Sequence, residues 1–414
     1  MSLAADTAVV VLAAGRSSRM GTSKPLLPLG TGRVIGRVVA GASRAGIGDI
    51  VVVTGHEPDE VAAALAALPV RRAHNAGYDA GMFSSVQTGV RALRDDVKAF
   101  FILPVDYPLV STAVLRALLH SAAGNPKGIL HPTCCGLRGH PPLLAGRYRN
   151  TIVDAGTSEN LRTLLERHPQ DEAEVELEDA TILMDMDTME DYHRIVRFAA
   201  FLDAAPGAET GAAPAGRAEA GARAKAPAGL AGTATPADGG ALSSEDALFL
   251  LSLLRMPDPV VRHCKAVAIV GEALARALAP RVPTLGVELV RTACLVHDLA
   301  RTQPKHAAVG QRVLCNLGLT RLGEIVGAHM VLPPAQLDAP QVTEEQLVYL
   351  ADKLVIDDRL AGLDEKKDRA LRGRTHDPAA LEGARNRMLI AEGIRERINV
   401  ILGHPLEEIL PREI

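Results

Sequence analysis

Between Ala204 and Ala241 the chain is almost entirely Ala, Gly, Pro and Thr with a few charges, and it offers no periodic apolar face. A segment of that composition cannot bury enough surface to offset the entropy of ordering it, so it reads as a disordered linker. The whole chain has 414 residues, long for one core and natural for two. The expected organisation is a first domain over 1–203, a linker over 204–241 and a second domain over 242–414.

The flanking halves have different patterns. Ala8 to Ala13, Asp49 to Thr54 and Ala99 to Val105 are short apolar runs, and Glu57 to Ala67 between them reads as a helix. Strands alternating with helices predict an α/β, Rossmann-like domain with a mostly parallel sheet. In such sheets ligands bind beyond the carboxyl ends of the strands, where Gly15 and Asp106 would stand. After the linker, Ser243 or Ser244 is placed to cap a helix running to Leu254, with Pro257 beyond its end. Leu289, Ala293 and His297 recur at helical spacing, as do Leu347, Leu350 and Leu354. No hairpin alternation stands out, so the second domain is expected to be all-α.

Composition excludes several functions. A net charge of −4 leaves no basic excess for a nucleic-acid backbone, and 3% aromatic residues with no Trp give no stacking platform. The start Met1 to Asp6 lacks the basic region of a signal peptide, and no run reaches the length of a membrane span. Cys134, Cys135, Cys264, Cys294 and Cys315 are odd in number and have no CxxC spacing, which argues against a disulfide framework or a zinc-thiolate site. These features fit a cytoplasmic protein with no nucleic-acid or membrane partner.

Leu12-Ala13-Ala14-Gly15-Arg16-Ser17-Ser18-Arg19-Met20-Gly21-Thr22-Ser23-Lys24 reads as a strand entering a loop. Gly15 and Gly21 allow a ligand close to the backbone, and free amides there can cradle phosphates. Arg19 supplies bidentate contacts and Lys24 a point charge, as a triphosphate needs. Alone, the same loop also reads as a solvated turn, and it is not a GxxxxGK[ST] P-loop. The residue order is more specific. It resembles the L-A-A-G-x-S-x-R-M-G-x-x-K signature of the MobA-like nucleotidyltransferases, on the branch of the molybdenum cofactor cytidylyltransferases. The resemblance runs to about Tyr192, through Val53 to His56, Asn75, Gly81 to Val86, Pro104 to Leu109, Gly139 to Pro141 and Asp185 to Asp191.

That resemblance implies attack by an acceptor phosphate on the α-phosphorus of a nucleoside triphosphate, with pyrophosphate leaving. It implies that Leu12, Ala13, Ala14, Gly15, Arg19 and Lys24 bind the nucleotide and that Asp106 and Asp187 hold Mg²⁺, with Asp185 competing for the second place. Ala14 and the Ser84-Ser85 pair resemble the form that uses CTP, although serines there also suit a helix N-cap. Phe83 and Tyr107 depart from the common cytidylyltransferase form, which puts the acceptor, a molybdopterin-type cofactor, in question. His140 is either an acceptor contact or an ordinary turn histidine.

In the second half, His263, the pair His297-Asp298, His306, His329 and Asp352 are imidazole and carboxylate groups suited to Mn²⁺, Fe²⁺ or Zn²⁺. Their order resembles the HD-domain metal-dependent phosphohydrolases, and His306 and His329 fill positions seen in the two-metal members. The resemblance implies one or two divalent transition metals, with Asp298 bridging. A degenerate HD fold without activity is the alternative. Lys305, beside a candidate ligand, has a stronger case for contacting phosphate than Lys353 or Asp357.

The expected protein is therefore a bifunctional enzyme that also meets a molybdoenzyme receiving its product. Alternatives are nucleotidyl transfer to a sugar phosphate or another phosphorylated metabolite, and a cofactor-delivery protein with a regulatory HD module.

Overall fold

The computed structural model describes residues 3–17, 19–156, 159–205, 242–337, 339–372 and 378–412. The chain forms two compact units, Met1–Asp238 and Gly239–Ile414. The helix before the expected linker continues through Ala204, and the linker from 206 to 241 lies outside the described residues.

In the first unit, β1 (Thr7–Ala13), β4 (Asp49–Thr54), β5 (Arg71–His74), β6 (Ala99–Pro104), β7 (Ile129–Cys134), β8 (Leu137–Arg138), β9 (Leu143–Ala145) and β10 (Glu172–Glu176) make one sheet, and β2 (Pro28–Leu29) pairs with β3 (Gly32–Arg33). The eight-stranded sheet runs β10-β7-β9-β6-β1-β4-β5, with β8 on β7. β1 is parallel to both β4 and β6, as are β4 to β5 and β10 to β7. The short β9 runs antiparallel between β6 and β7.

Every residue of β1, β4 and β6 is buried. These central strands, rich in β-branched and aromatic residues, are apolar on both faces because helices cover both. The helices are α1 (Val34–Arg44), α2 (Pro58–Ala64), α3 (Met82–Arg91), α4 (Thr112–Gly124), α5 (Tyr148–Val153), α6 (Leu161–Leu165) and α7 (Met189–Ala204). Gly89 shows how closely α3 approaches the sheet: a Cβ there would lie 2.2 Å from Val10 Cγ1 and 2.8 Å from Val53 Cγ2. From β1 the chain steps out through β4 to β5 and then crosses back to β6 on the other side of β1, so the carboxyl ends of β1 and β6 border a topological crevice. The helix expected over Glu57 to Ala67 is shorter, because Glu57 stands at φ +49° and the helix ends at Ala64.

The second unit comprises α8 (Ser244–Leu253), α9 (Asp258–Leu278), α10 (Val287–Val296), α11 (His306–Asn316), α12 (Thr320–Ala328), α13 (Pro334–Leu337), α14 (Glu344–Lys353), α15 (Leu363–Arg372) and α16 (Pro378–Leu402). Ser243 caps α8 by accepting from Asp246 N. α9, α10 and α14 pack together at the centre, and a Cβ on Gly271 would meet Cys294 Sγ at 2.5 Å, so α9 and α10 cross closely there. The unit is helical but not purely so. β11 (Val355–Ile356) and β12 (Arg359–Leu360) form an antiparallel hairpin around Asp357, which sits at φ +56°. Aspartate tolerates that left-handed conformation, and two residues per strand leave no alternation to read in sequence.

Candidate functional sites

At the carboxyl end of β1 the loop is knitted to its neighbours by backbone bonds. Val105 N donates to Leu12 O at 3.1 Å and His56 N to Ala14 O at 3.1 Å. The chain then turns at Ser17, where φ is +50° and whose hydroxyl accepts from Lys24 N at 3.1 Å. A Cβ added at Gly15 or Gly21 would meet nothing within 4 Å, so both face open space.

This turn brings Lys24 against two carboxylates remote in sequence. Its Nζ lies 2.8 Å from Asp187 Oδ1 and 3.6 Å from Asp106 Oδ2, and Arg19 Nη1 reaches Asp187 Oδ2 at 2.9 Å. Burial pushes the Asp106 carboxyl up against the opposing pull of Lys24, and its Oδ1 is buried without a hydrogen-bond partner. The hydrogen bond from Lys24 holds Asp187 below the usual carboxylate range. Asp185 is raised by burial and then by Asp187 and Asp106. Of the two competing aspartates, Asp187 is the one that meets the cations. Its position follows from the next turn: Thr188 accepts from Asp191 N while Asp191 accepts from Thr188 N, a capping box that starts α7.

Ser84 and Ser85 lie in the first turn of α3, whose N-cap is Gly81, so neither serine is the cap. Both receive hydrogen bonds from the buried Asn75 amide, at 2.8 and 3.0 Å. Tyr107 stacks on His140 with centroids 4.4 Å apart, and burial lowers the His140 imidazole to about 4. Sequence reasoning missed Arg16, which grips Asp79 with two bonds of 2.8 and 2.7 Å and lies 5.6 Å over the Tyr78 ring. A pairing across 63 residues has no local signal.

In the helical unit the six singled-out ligands come together as two groups, His263, His297 and Asp352, and Asp298, His306 and His329. His297 is the residue just past α10 and His329 the one just past α12. Asp298 links the groups: Oδ2 is 3.5 Å from His297 Nε2, while Oδ1 is 3.2 Å from His306 Nε2 and 3.6 Å from His329 Nε2.

Backbone carbonyls set the imidazole tautomers. His297 Nδ1 lies 2.8 Å from Cys294 O, His329 Nδ1 2.6 Å from Val326 O and His263 Nδ1 2.7 Å from Asp357 O, on the hairpin. A carbonyl can only accept, so each Nδ1 carries the proton and, in the neutral ring, each Nε2 presents a lone pair. His297 Nε2, His329 Nε2 and Asp298 Oδ1 are buried without hydrogen-bond partners. Burial lowers His297 to about 4. Burial opposes the charge on Asp298, but His297, His306 and His329 outweigh it and hold the carboxyl far below its usual range. Converging lone pairs and an orphaned carboxylate oxygen fit divalent cations, with the carbonyls as the supporting shell.

Lys353 steadies the set: Nζ donates to Asp352 Oδ2 at 2.7 Å and to His329 O at 3.1 Å, and lies 4.3 Å over the Tyr349 ring. Lys353 and Lys366 line the cavity over the cluster, whereas exposed Lys305 is not among its described lining residues.

Fold and sites thus define an α/β nucleotidyltransferase unit and a helical histidine–aspartate unit. Two family models match the chain in part: residues 9–173 match the MobA-like NTP transferase domain and residues 260–357 the HD domain. The molybdenum cofactor cytidylyltransferase of Escherichia coli (strain K12) is 29% identical over 184 residues, 44% of this chain and 92% of that protein. The uncharacterized protein MJ0778 of Methanocaldococcus jannaschii is 31% identical over 150 residues, 32% of this chain and 88% of that protein. A solved nucleotidyl transferase from Methanothermobacter, Mth528, is 26% identical with a TM-score of 0.41, covering 47% of this chain and 97% of that one. No described helix is long and apolar enough to cross a membrane.

Proposed function

We propose that the first unit transfers CMP from CTP to a molybdopterin-type cofactor, and that the second is a metal-dependent phosphohydrolase. The observation that carries the first reading is Lys24, which stands between Asp106 and Asp187 beside the open backbone at Gly15 and Gly21. Arg19 and Lys24 would exchange their carboxylate partners for triphosphate oxygens as substrate enters. Asp106, through its unpartnered Oδ1, and Asp187 would hold Mg²⁺, which when bound neutralises phosphate charge. An acceptor phosphate oxygen bonds to the α-phosphorus, the bridging P–O bond breaks and pyrophosphate leaves. Catalysis by these side chains is positioning and charge stabilisation. Ala14 and the Asn75-braced serines support cytosine, as does the name of the Escherichia coli relative.

For the second unit the carrying observation is the convergence of orphaned Nε2 atoms on Asp298. Fe, Mn or Zn bound there would supply Lewis acidity toward a phosphoryl group. We place the protein in the cytoplasm, with a molybdoenzyme as the receiver of its product.

The test supplies each NTP with molybdopterin or with sugar phosphates and follows pyrophosphate. Release with CTP and molybdopterin is expected, and release with sugar phosphates alone overturns the acceptor. For the second unit, metal analysis of the native protein should return stoichiometric Fe, Mn or Zn. A metal-free native protein removes the hydrolase reading.

A further inference from the structure

The cavity over the histidine–aspartate cluster carries more positive charge than holding its ligands requires. Its volume is about 680 Å³, within the range of small-molecule sites. Arg262, Arg301, Lys353, Lys366, Arg369 and Arg387 line it, against the carboxylates Asp298, Asp352, Asp357 and Asp358. Two of these carboxylates, Asp298 and Asp352, belong to the ligand groups, so divalent ions there would make the cavity more positive still.

The cations divide by what holds them. Arg262 pairs with Asp358 at 2.9 Å and Arg369 with Asp357 at 2.8 Å, all four side chains being at least half exposed. Lys353 is committed to Asp352 and His329 O. Three cations remain. Arg301 Nη1 lies 3.2 Å from His306 Nε2 and 3.8 Å from Asp298 Oδ1, beside the ligands. Lys366 donates to Asp352 O and Val355 O at 2.9 and 2.5 Å, and its Nζ lies 3.9 Å from Asp352 Oδ1, a carboxylate already bonded by Lys353; one of its three N–H groups makes no hydrogen bond. Arg387, half-buried on α16, pairs with no carboxylate among the described residues. A partly buried cation without an anion is unfavourable until one arrives. A single phosphate seated on the ligand groups leaves these cations with less than their complement of charge.

Beside the cluster's own His263 and His329, the remaining lining is apolar, Pro259, Val260, Met330, Ile356 and Met388 among it, and none of the described lining residues is Phe, Tyr or Trp. Such a wall accepts an aliphatic group but gives no aromatic ring for a base to stack on.

We propose that this cavity selects organic diphosphates over monophosphates, with Arg301, Lys366 and Arg387 reading the phosphate that is not cleaved. The proposal rests on the hydrolase reading for the reaction itself. In that reaction the oxygen of water bonds to the terminal phosphorus and the bridging P–O bond breaks. The organic monophosphate and inorganic phosphate leave, and a proton passes to solvent.

The test compares butyl phosphate with butyl diphosphate on the metal-loaded full chain, following inorganic phosphate. A kcat/KM preference of about tenfold or more for the diphosphate is expected, the scale of an added charge-assisted contact. Arg387→Gln should raise KM for the diphosphate more than for the monophosphate. Lys366→Gln should do the same, and because Lys366 also ties down two carbonyls, Arg387→Gln is the cleaner variant. Calorimetry with butyl methylenediphosphonate and butylphosphonate reads the same preference without turnover. Equal binding of the two phosphonates, or equal weakening of both by Arg387→Gln, overturns the proposal. A metal-loaded protein that selects the diphosphonate and hydrolyses neither ester keeps the selectivity and removes the hydrolase reading.

Discussion

Beyond the end of β1, Lys24 and Arg19 both meet the Asp187 carboxylate within 2.9 Å, and Lys24 lies 3.6 Å from Asp106. In the helical unit, three histidines are fixed through Nδ1 to carbonyls, and two of their Nε2 atoms are buried with no partner. The first site pairs its two cations with its own carboxylates, leaving only Asp106 Oδ1 orphaned, and must open those ion pairs to receive a substrate. The second is left unbalanced, its ligands oriented before any ion arrives. Both serve phosphorus chemistry in the proposed function, but one exchanges salt bridges for phosphates while the other completes its charge with metal.

The largest expected effect breaks the second site alone. His297→Ala should lower metal affinity by more than the roughly 100-fold cost of losing a supporting residue. Measured by elemental analysis and phosphate release, hydrolysis should fall to background while pyrophosphate release by the first unit is retained. Loss of both activities would show the sites to be coupled.

Lys24→Ala probes the ion-paired site. Losing a positioned charge at a phosphoryl-type transition state costs roughly a hundredfold to a thousandfold in rate, so pyrophosphate release should drop by that factor with metal content in the second unit unchanged. A small effect would mean that the ion pairs are structural.

Two glycines compare the cores. Gly89→Ala drives a methyl into Val10 and Val53, and Gly271→Ala drives one into Cys294. Each should destabilise its own unit by about 1–3 kcal/mol, the usual cost of overpacking, read as a shift of one denaturation transition. A shift of both transitions would contradict independent cores.

Acid gives a further handle on the first unit. His140 falls from an ordinary 6.5 to about 4 because burial disfavours its charge. The unfolded chain therefore binds more protons than the folded one between these values. Stability should be unaffected by this group above about 6.5 and decline as pH falls toward 4, by about 2 kcal/mol by pH 5. His140→Gln should flatten that decline in urea titrations. Thr188→Ala is the mildest test: losing the cap beside Asp187 should cost about 1 kcal/mol and loosen the Lys24–Asp187 contact, visible as a modest rise in KM for the nucleotide.

The apolar runs of β1, β4 and β6 were legible because central parallel strands are buried on both faces. The helical character of the second unit was legible from the spacing of Leu347, Leu350 and Leu354. The six histidines and aspartates were recognisable as a set because their order resembles that of the HD-domain phosphohydrolases. The β11–β12 hairpin was not, since its two-residue strands carry no period. Lys305 was favoured for standing next to His306 in sequence, yet Lys353 and Lys366 line the cavity.

Sequence alone thus determined the fold classes of the two units, because periodicity is a local property, and the order of their motif residues carried the resemblance to two families. Tertiary structure decided which aspartate meets Lys24, which carbonyls orient the imidazoles and which cations stand over the cluster. Lys24 and Asp187 are 163 residues apart, and His263 and Asp357 are 94 apart. Such pairs interact through distance in space, which is settled only when strands, helix ends and a hairpin have packed.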